Sequence, residues 1–130
     1  MNTHTIALIG LGGVVGAISR YIMSGWVQRD YAGFPYGTLF VNFTGTLTLS
    51  IIMYLSEYTA AVPSDVRVLL TVGVLGAYTT MSTFGFESFR LLEQGETLRF
   101  TLNFLATNAL VLFAVWLGKL VAVRLSGVRI

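Results

Sequence analysis

Gly73-Val74-Leu75-Gly76-Ala77-Tyr78-Thr79-Thr80-Met81-Ser82-Thr83-Phe84 lies inside an apolar run long enough to cross a bilayer, yet it is poor helix material. Two glycines are followed by Thr79, Thr80, Met81, Ser82 and Thr83 before an aromatic closes the stretch. An interior glycine costs about 1 kcal/mol relative to alanine, and threonine is a below-average helix former. In hydrocarbon no water satisfies the backbone groups that a broken helix releases. A break is therefore tolerated only where protein buries it or where it lines a polar cavity. The stretch predicts a membrane helix interrupted near its middle, and it is the first candidate for a functional site.

The surrounding chain is membrane-like throughout. Of its 130 residues, 55% are hydrophobic and 11% charged, against roughly 25% charged in soluble domains. About 20 apolar residues cross a bilayer core as a helix. Four such spans fit: Thr5–Ser24, Tyr36–Ser56, Val66–Leu92 and Leu98–Val123. Trp26, Tyr31, Pro35 and Tyr36 in and beside the first loop suit the headgroup level. Pro63-Ser64-Asp65 reads as a stop followed by a helix cap, and Gly95 as a tight turn. The N-terminus shows neither a charged leader nor a cleavage site, so the first run is expected to be a permanent span. No repeat or linker divides the chain. Residues 1–130 are expected to form one all-α transmembrane unit of four helices.

Several functions are excluded by what is missing. The formal charge is +2 with no basic stripe, which gives nucleic acid nothing to bind. Without cysteine there is neither a disulfide frame nor a thiolate metal site. The single histidine is His4, and the six carboxylates lie outside the span centres. No nucleophile therefore has a base within reach, and the chain is not expected to be an enzyme. Small four-helix exporters coupled to protons are the rival class. They depend on a buried glutamate in the first helix, whereas Thr5–Ser24 has no acidic residue.

Polar residues inside the spans are neutral. Thr38, Asn42 and Thr46 recur four apart and share one helix face. Asn42 either bonds a neighbouring helix or offers amide donors to an anion along a polar track. Asn103 and Thr107 share a face in the fourth span, with the same two readings. In the first span Gly12/Gly16 and Gly13/Ala17 are small-xxx-small pairs that permit close helix approach. Arg20, one turn on, either snorkels to the interface or fronts a vestibule that attracts anions. Met81 and Phe84 flank Ser82 and Thr83; a phenyl ring packs well but also has a positive edge. Glu87 reads equally as a vestibule group, an ion-pair partner or a surface residue.

Three motifs together resemble one family. Gly12-Gly13-x-x-Gly16-Ala17-x-x-Arg20-Tyr21, Pro35-Tyr36-Gly37-Thr38-Leu39-x-Val41-Asn42-x-x-Gly45 and Gly73-x-x-Gly76-x-x-Thr79-Thr80-x-Ser82-Thr83-Phe84-x-x-Glu87 are similar, in that order, to the Fluc/CrcB fluoride channels. The resemblance implies an antiparallel dual-topology dimer, homomeric or formed with a paralogue, in the cell (inner) membrane. It further implies passive fluoride export through two pores, with a structural sodium on the dimer axis. Carried across by motif, the sodium ligands would be the backbone carbonyls of Gly76 and Thr79. The pore would use Asn42, Thr38, Met81, Ser82, Thr83 and Phe84, with Arg20 and Glu87 in the vestibule. The fourth span matches less closely, and Thr107 and Asn108 are its carry-overs. Met81 departs from the pattern, standing where the family has phenylalanine. Methionine is polarizable but has no ring quadrupole.

Charge placement makes an independent statement about topology. With four spans, Arg67, Lys119, Arg124 and Arg129 fall on one side and Arg20, Arg29, Arg90 and Arg99 on the other. Lysine and arginine bias sets orientation, and here the bias is nil. The chain is expected to insert both ways and pair antiparallel, unless helix hydrophobicity settles the orientation. A reporter fused to the C-terminus should give comparable signals on both sides of the membrane. A strong signal on one side alone would contradict dual insertion.

Overall fold

The computed structural model describes residues 2–31 and 33–128, all of whose regular structure is helical. Arg129, counted in the charge balance above, lies outside the described residues. Four helices are long and apolar enough to cross a membrane, which makes this a multi-pass membrane protein. They are α1 (Thr3–Gln28), α2 (Tyr36–Thr59), the segmented third span Ser64–Glu93, and α6 (Thr97–Ser126). Each contains the corresponding expected span and overruns it by a few residues. The third span is built from α3 (Ser64–Val68), a π-helical stretch (Leu69–Leu75), α4 (Gly76–Tyr78) and α5 (Met81–Glu93).

Local chemistry accounts for most of the ends. Asn2 caps α1, its Oδ1 accepting from the His4 N–H at 3.1 Å. The turn after α5 places Gly95 at φ 74°. There the Glu96 N–H donates to the Leu91 carbonyl at 2.9 Å and the Gly95 N–H to Leu92 at 3.0 Å. This Schellman arrangement closes a helix and satisfies its last carbonyls. Ser64 does not act as a cap. It is already helical, and the preceding Pro63 makes no side-chain capping bond. Proline's fixed φ sets the start instead, at φ −56° and ψ 147°.

The interior mixes polar side chains with apolar ones such as Val41, Phe84 and Leu91. Thr38, Asn42, Ser50, Thr80, Ser88, Asn103 and Thr107 are buried, while Leu11, Leu105, Leu112 and Leu125 are exposed. Lipid provides no hydrophobic drive between helices, so small residues and hydrogen bonds must hold them. Both devices are visible. Ser50 Oγ donates to the Val115 carbonyl at 2.8 Å, tying α2 to α6. Gly118 lies against Ser50, where an added Cβ would fall 2.6 Å from that side chain's Cβ.

Between α1 and the third span the contact is backbone on backbone. A Cβ on Gly12 would lie 2.7 Å from the Leu69 carbonyl oxygen and 2.9 Å from Gly73 Cα. On Gly16 it would overlap the Val74 carbonyl oxygen. Of the two small-residue pairs in α1, only Gly12/Gly16 serves this contact; nothing approaches a Cβ on Gly13. The π-helical stretch begins at Leu69, so the wider helix turns are those that α1 packs against.

Gly16→Ala should therefore destabilise the fold by about 1–3 kcal/mol, the usual range for overpacking. Gly13→Ala should be neutral within each chain. Thermal unfolding of both variants in detergent checks the contrast, and equal melting temperatures would contradict it.

Candidate functional site

The third span breaks at Thr79 and Thr80, both extended, with φ/ψ of −80°/156° and −149°/113°. Branched threonine side chains favour such conformations. The break does not fall at the glycines: Gly76 remains helical at φ −62° and ψ −34°. After the break, Thr80 caps α5. Its Oγ1 accepts from the Thr83 N–H at 3.2 Å and donates to Thr83 Oγ1 at 2.9 Å.

Asn42 satisfies the backbone that the break exposes. The Thr80 N–H donates to Asn42 Oδ1 at 2.8 Å, and Asn42 Nδ2 donates to the Thr80 carbonyl at 3.1 Å. One amide side chain on α2 thus replaces both peptide partners of one residue. An α-helix would pair the Gly76 carbonyl with the Thr80 N–H and the Thr79 carbonyl with the Thr83 N–H. Those donors are instead engaged by Asn42 and by Thr80 Oγ1. Both carbonyls have lost their helical donors, and uncharged oxygens of this kind suit a hard cation.

A cavity of about 190 Å³ lies beside the latch, bordered by Asn42, Thr46, Thr80, Met81, Phe84 and Thr107. Asn42 carries two amide N–H groups, and among the described residues its amide nitrogen donates only to the Thr80 carbonyl. Phe84 is 3% exposed. Its ring also packs against Phe104, centroids 6.2 Å apart. A second cavity, about 370 Å³, is bordered by Arg20, Tyr21, Ser24, Thr38, Thr80 and Thr83. Thr80 borders both. Among the described residues Arg20 forms no ion pair.

Thr38 sits one turn before Asn42, 2% exposed and beside Glu87. The two side chains fall short of hydrogen-bond geometry, and Thr38 Oγ1 and Glu87 Oε2 are both buried without a partner among the described residues. Thr107 Oγ1 donates to Asn103 Oδ1 at 3.4 Å, and Asn103 Nδ2 to Ser88 Oγ at 3.0 Å. Asn103 and Thr107 therefore do bond along and across helices. Asn108 is exposed and its amide returns to the Phe104 carbonyl at 2.7 Å. Met81 is 73% exposed. Ser82 and Gly76 are exposed too, so these three lie on the outer face of the chain. The residue that the sequence reading left out of the site is Thr80. Its signal was present: a hydroxyl residue three positions before Thr83, at the start of the α5 helix, is a capping pattern.

This arrangement can be set beside known proteins. The family model described as "CrcB-like protein, Camphor Resistance (CrcB)" matches residues 7–119. A protein of Methanosarcina acetivorans named fluoride-specific ion channel FluC 1 is 51% identical over 123 residues, covering 95% of this chain and 94% of that one. Fluoride-specific ion channel FluC 3 of Methanosarcina barkeri is 46% identical over 95% of this chain and 93% of its own. A bacterial relative from Geobacter metallireducens, fluoride-specific ion channel FluC, is 44% identical over 91% of this chain and 96% of its own. With a family match over most of its length and relatives this close, the chain belongs to the CrcB family of membrane proteins.

Proposed function

We propose that this protein is a fluoride-selective channel of the cell (inner) membrane that lets fluoride leave the cytoplasm passively. The observation that carries the reading is the Asn42–Thr80 latch, with neutral donors gathered beside it. Fluoride is small and strongly hydrated, and stripping an ion of water costs several kcal/mol even after relaxation. Replacement donors must therefore stand along the path. The second Asn42 amide N–H and the hydroxyls of Thr38 and Thr83 provide them. Thr80 and Thr107 line the path with their protons held by Thr83 Oγ1 and Asn103 Oδ1, and the Phe84 ring edge adds a weakly positive surface. Arg20 collects the anion at one end. Selectivity follows from pore width and lining donors. The names of the relatives support fluoride as the ion.

The working unit in this reading is an antiparallel dimer with two pores, made of two identical chains or of this chain and a paralogue. Met81, Ser82 and the Gly76 backbone lie on the outer face of one chain, where a second copy would complete the path. The carbonyls of Gly76 and Thr79 from both copies would hold a structural sodium ion, which would supply a fixed positive charge joining the two breaks. A coupled exporter finds little support. The α1 helix carries no carboxylate, and the only carboxylate oxygen buried without a partner among the described residues is Glu87 Oε2.

Liposomes loaded with fluoride or with chloride, read by ion-selective electrodes, test the reading. Fluoride should leave and chloride should stay, with no dependence on a proton gradient. Chloride efflux at a similar rate, or fluoride movement only under a pH gradient, would refute it. Asn42→Asp keeps an acceptor for the Thr80 N–H. It loses the donor to the Thr80 carbonyl, at about 1–3 kcal/mol, and puts a negative charge beside the cavity. Its fluoride efflux should fall at least about tenfold, which corresponds to 1.4 kcal/mol. Efflux equal to that of the unmodified protein would remove Asn42 from the path.

A further inference from the structure

The polar row on α2 does not stop at the latch. Thr38, Asn42, Thr46, Ser50 and Tyr54 recur every four residues along the helix. Such a row winds obliquely, at about 26° to the helix axis. Each member borders a cavity. Thr38 borders the Arg20 vestibule, while Asn42 and Thr46 border the space beside the latch. Thr46, Ser50 and Tyr54 border a third space of about 570 Å³, with Glu57 and Arg67 also on its wall. Thr80 joins the first two spaces and Thr46 joins the last two. The three cavities thus follow one row of side chains from the start of α2 to its end.

The far space has its own charge. Arg67 lies on its wall, and Lys119 Nζ sits 5.6 Å from the centroid of the Tyr54 ring that also borders it. A cation–π contact of this kind holds the ammonium in place. Glu57 is the one carboxylate there. Among the described residues none of these three groups forms an ion pair. Two cations against one carboxylate leave the basin positive, at the opposite end of α2 from Arg20. The Ser50 hydroxyl proton is committed to the Val115 carbonyl, so Ser50 shapes the space without donating into it. The Thr46 and Tyr54 hydroxyls have no such commitment among the described residues.

We propose that this basin is a second anion-collecting mouth, in which Arg67 and Lys119 do at one membrane face what Arg20 does at the other, and Thr46 hands the anion to the latch cavity. The inference rests on the channel reading above and extends it to residues outside the three sequence motifs. A mouth at each end lets an anion be gathered from either side. Glu57 opposes the two cations and sets how strongly the basin attracts.

Fluoride efflux from liposomes at about 0.01 M and about 1 M ionic strength tests this, because the Debye length falls from about 30 Å to 3 Å between them. The double variant Arg67→Glu/Lys119→Glu should lose about tenfold in flux at low ionic strength, within the range of electrostatic steering. Most of the loss should vanish at high ionic strength. Glu57→Gln should shift flux upward at low ionic strength only, and it remains informative should the double variant fail to fold. Flux from Glu57→Gln, or from a folded double variant, that matches the unmodified protein at both ionic strengths would overturn the second mouth and leave the channel reading intact. A loss independent of ionic strength would assign Arg67 and Lys119 to structure and overturn it as well. No fluoride efflux from the unmodified protein would overturn the channel reading, and the mouth with it.

Discussion

A peptide group left unpaired in hydrocarbon is the constraint on which this structure turns. A span that opens its backbone must close the account with protein atoms, since water and lipid offer nothing. Here one side chain does it. Asn42 accepts from the N–H of Thr80 and donates to its carbonyl, presenting to the broken helix what a neighbouring peptide would present. An aliphatic residue at position 42 would leave both groups of Thr80 bare. An aspartate would satisfy one and repel the other.

The packing around the latch is arranged to bring α2 close enough. Gly45, less than one turn beyond Asn42, faces the end of α4. A Cβ there would fall 2.5 Å from Thr79 Cγ2 and 2.8 Å from the Tyr78 ring. The Tyr78 hydroxyl meets Thr44 Oγ1 at 3.0 Å on the same helix turn. Gly12 and Gly16 of α1 hold the other side of the third span by backbone contact. The break is thus gripped from two sides, and the polar cavities open beside a rigid feature. That rigidity matters for an ion path, because hydration can be replaced only by donors already in position.

The sequence made the four spans legible because apolar length alone decides them, and it marked the third as broken because Gly73, Gly76 and the hydroxyl run are poor helix formers. It was less informative about where the break falls. Gly73 and Gly76 stay helical; Gly73 is needed for close approach to α1, and Thr79 and Thr80 open instead. Asn42 stood out as an expensive residue, but its partner is 38 positions away, and no local pattern connects the two. Interhelical glue and polar track are the two readings such a residue allows. The structure places one amide at the latch and beside a cavity, so it can serve both. Gly13 and Ala17 have the same spacing as Gly12 and Gly16, and only the rotation of α1 against the third span distinguishes the pairs. The identity of the ion was never readable from periodicity; it came from the family motifs and from the relatives.

The latch itself is open to direct measurement by site-resolved amide hydrogen exchange on the protein in lipid nanodiscs. The Thr80 N–H should exchange slowly, as a bonded and buried amide does. In Asn42→Ala it should exchange far faster, while amides in α1 and α6 keep their rates. A Thr80 amide that exchanges equally fast with and without Asn42 would show that this side chain does not hold the break, and would contradict the account.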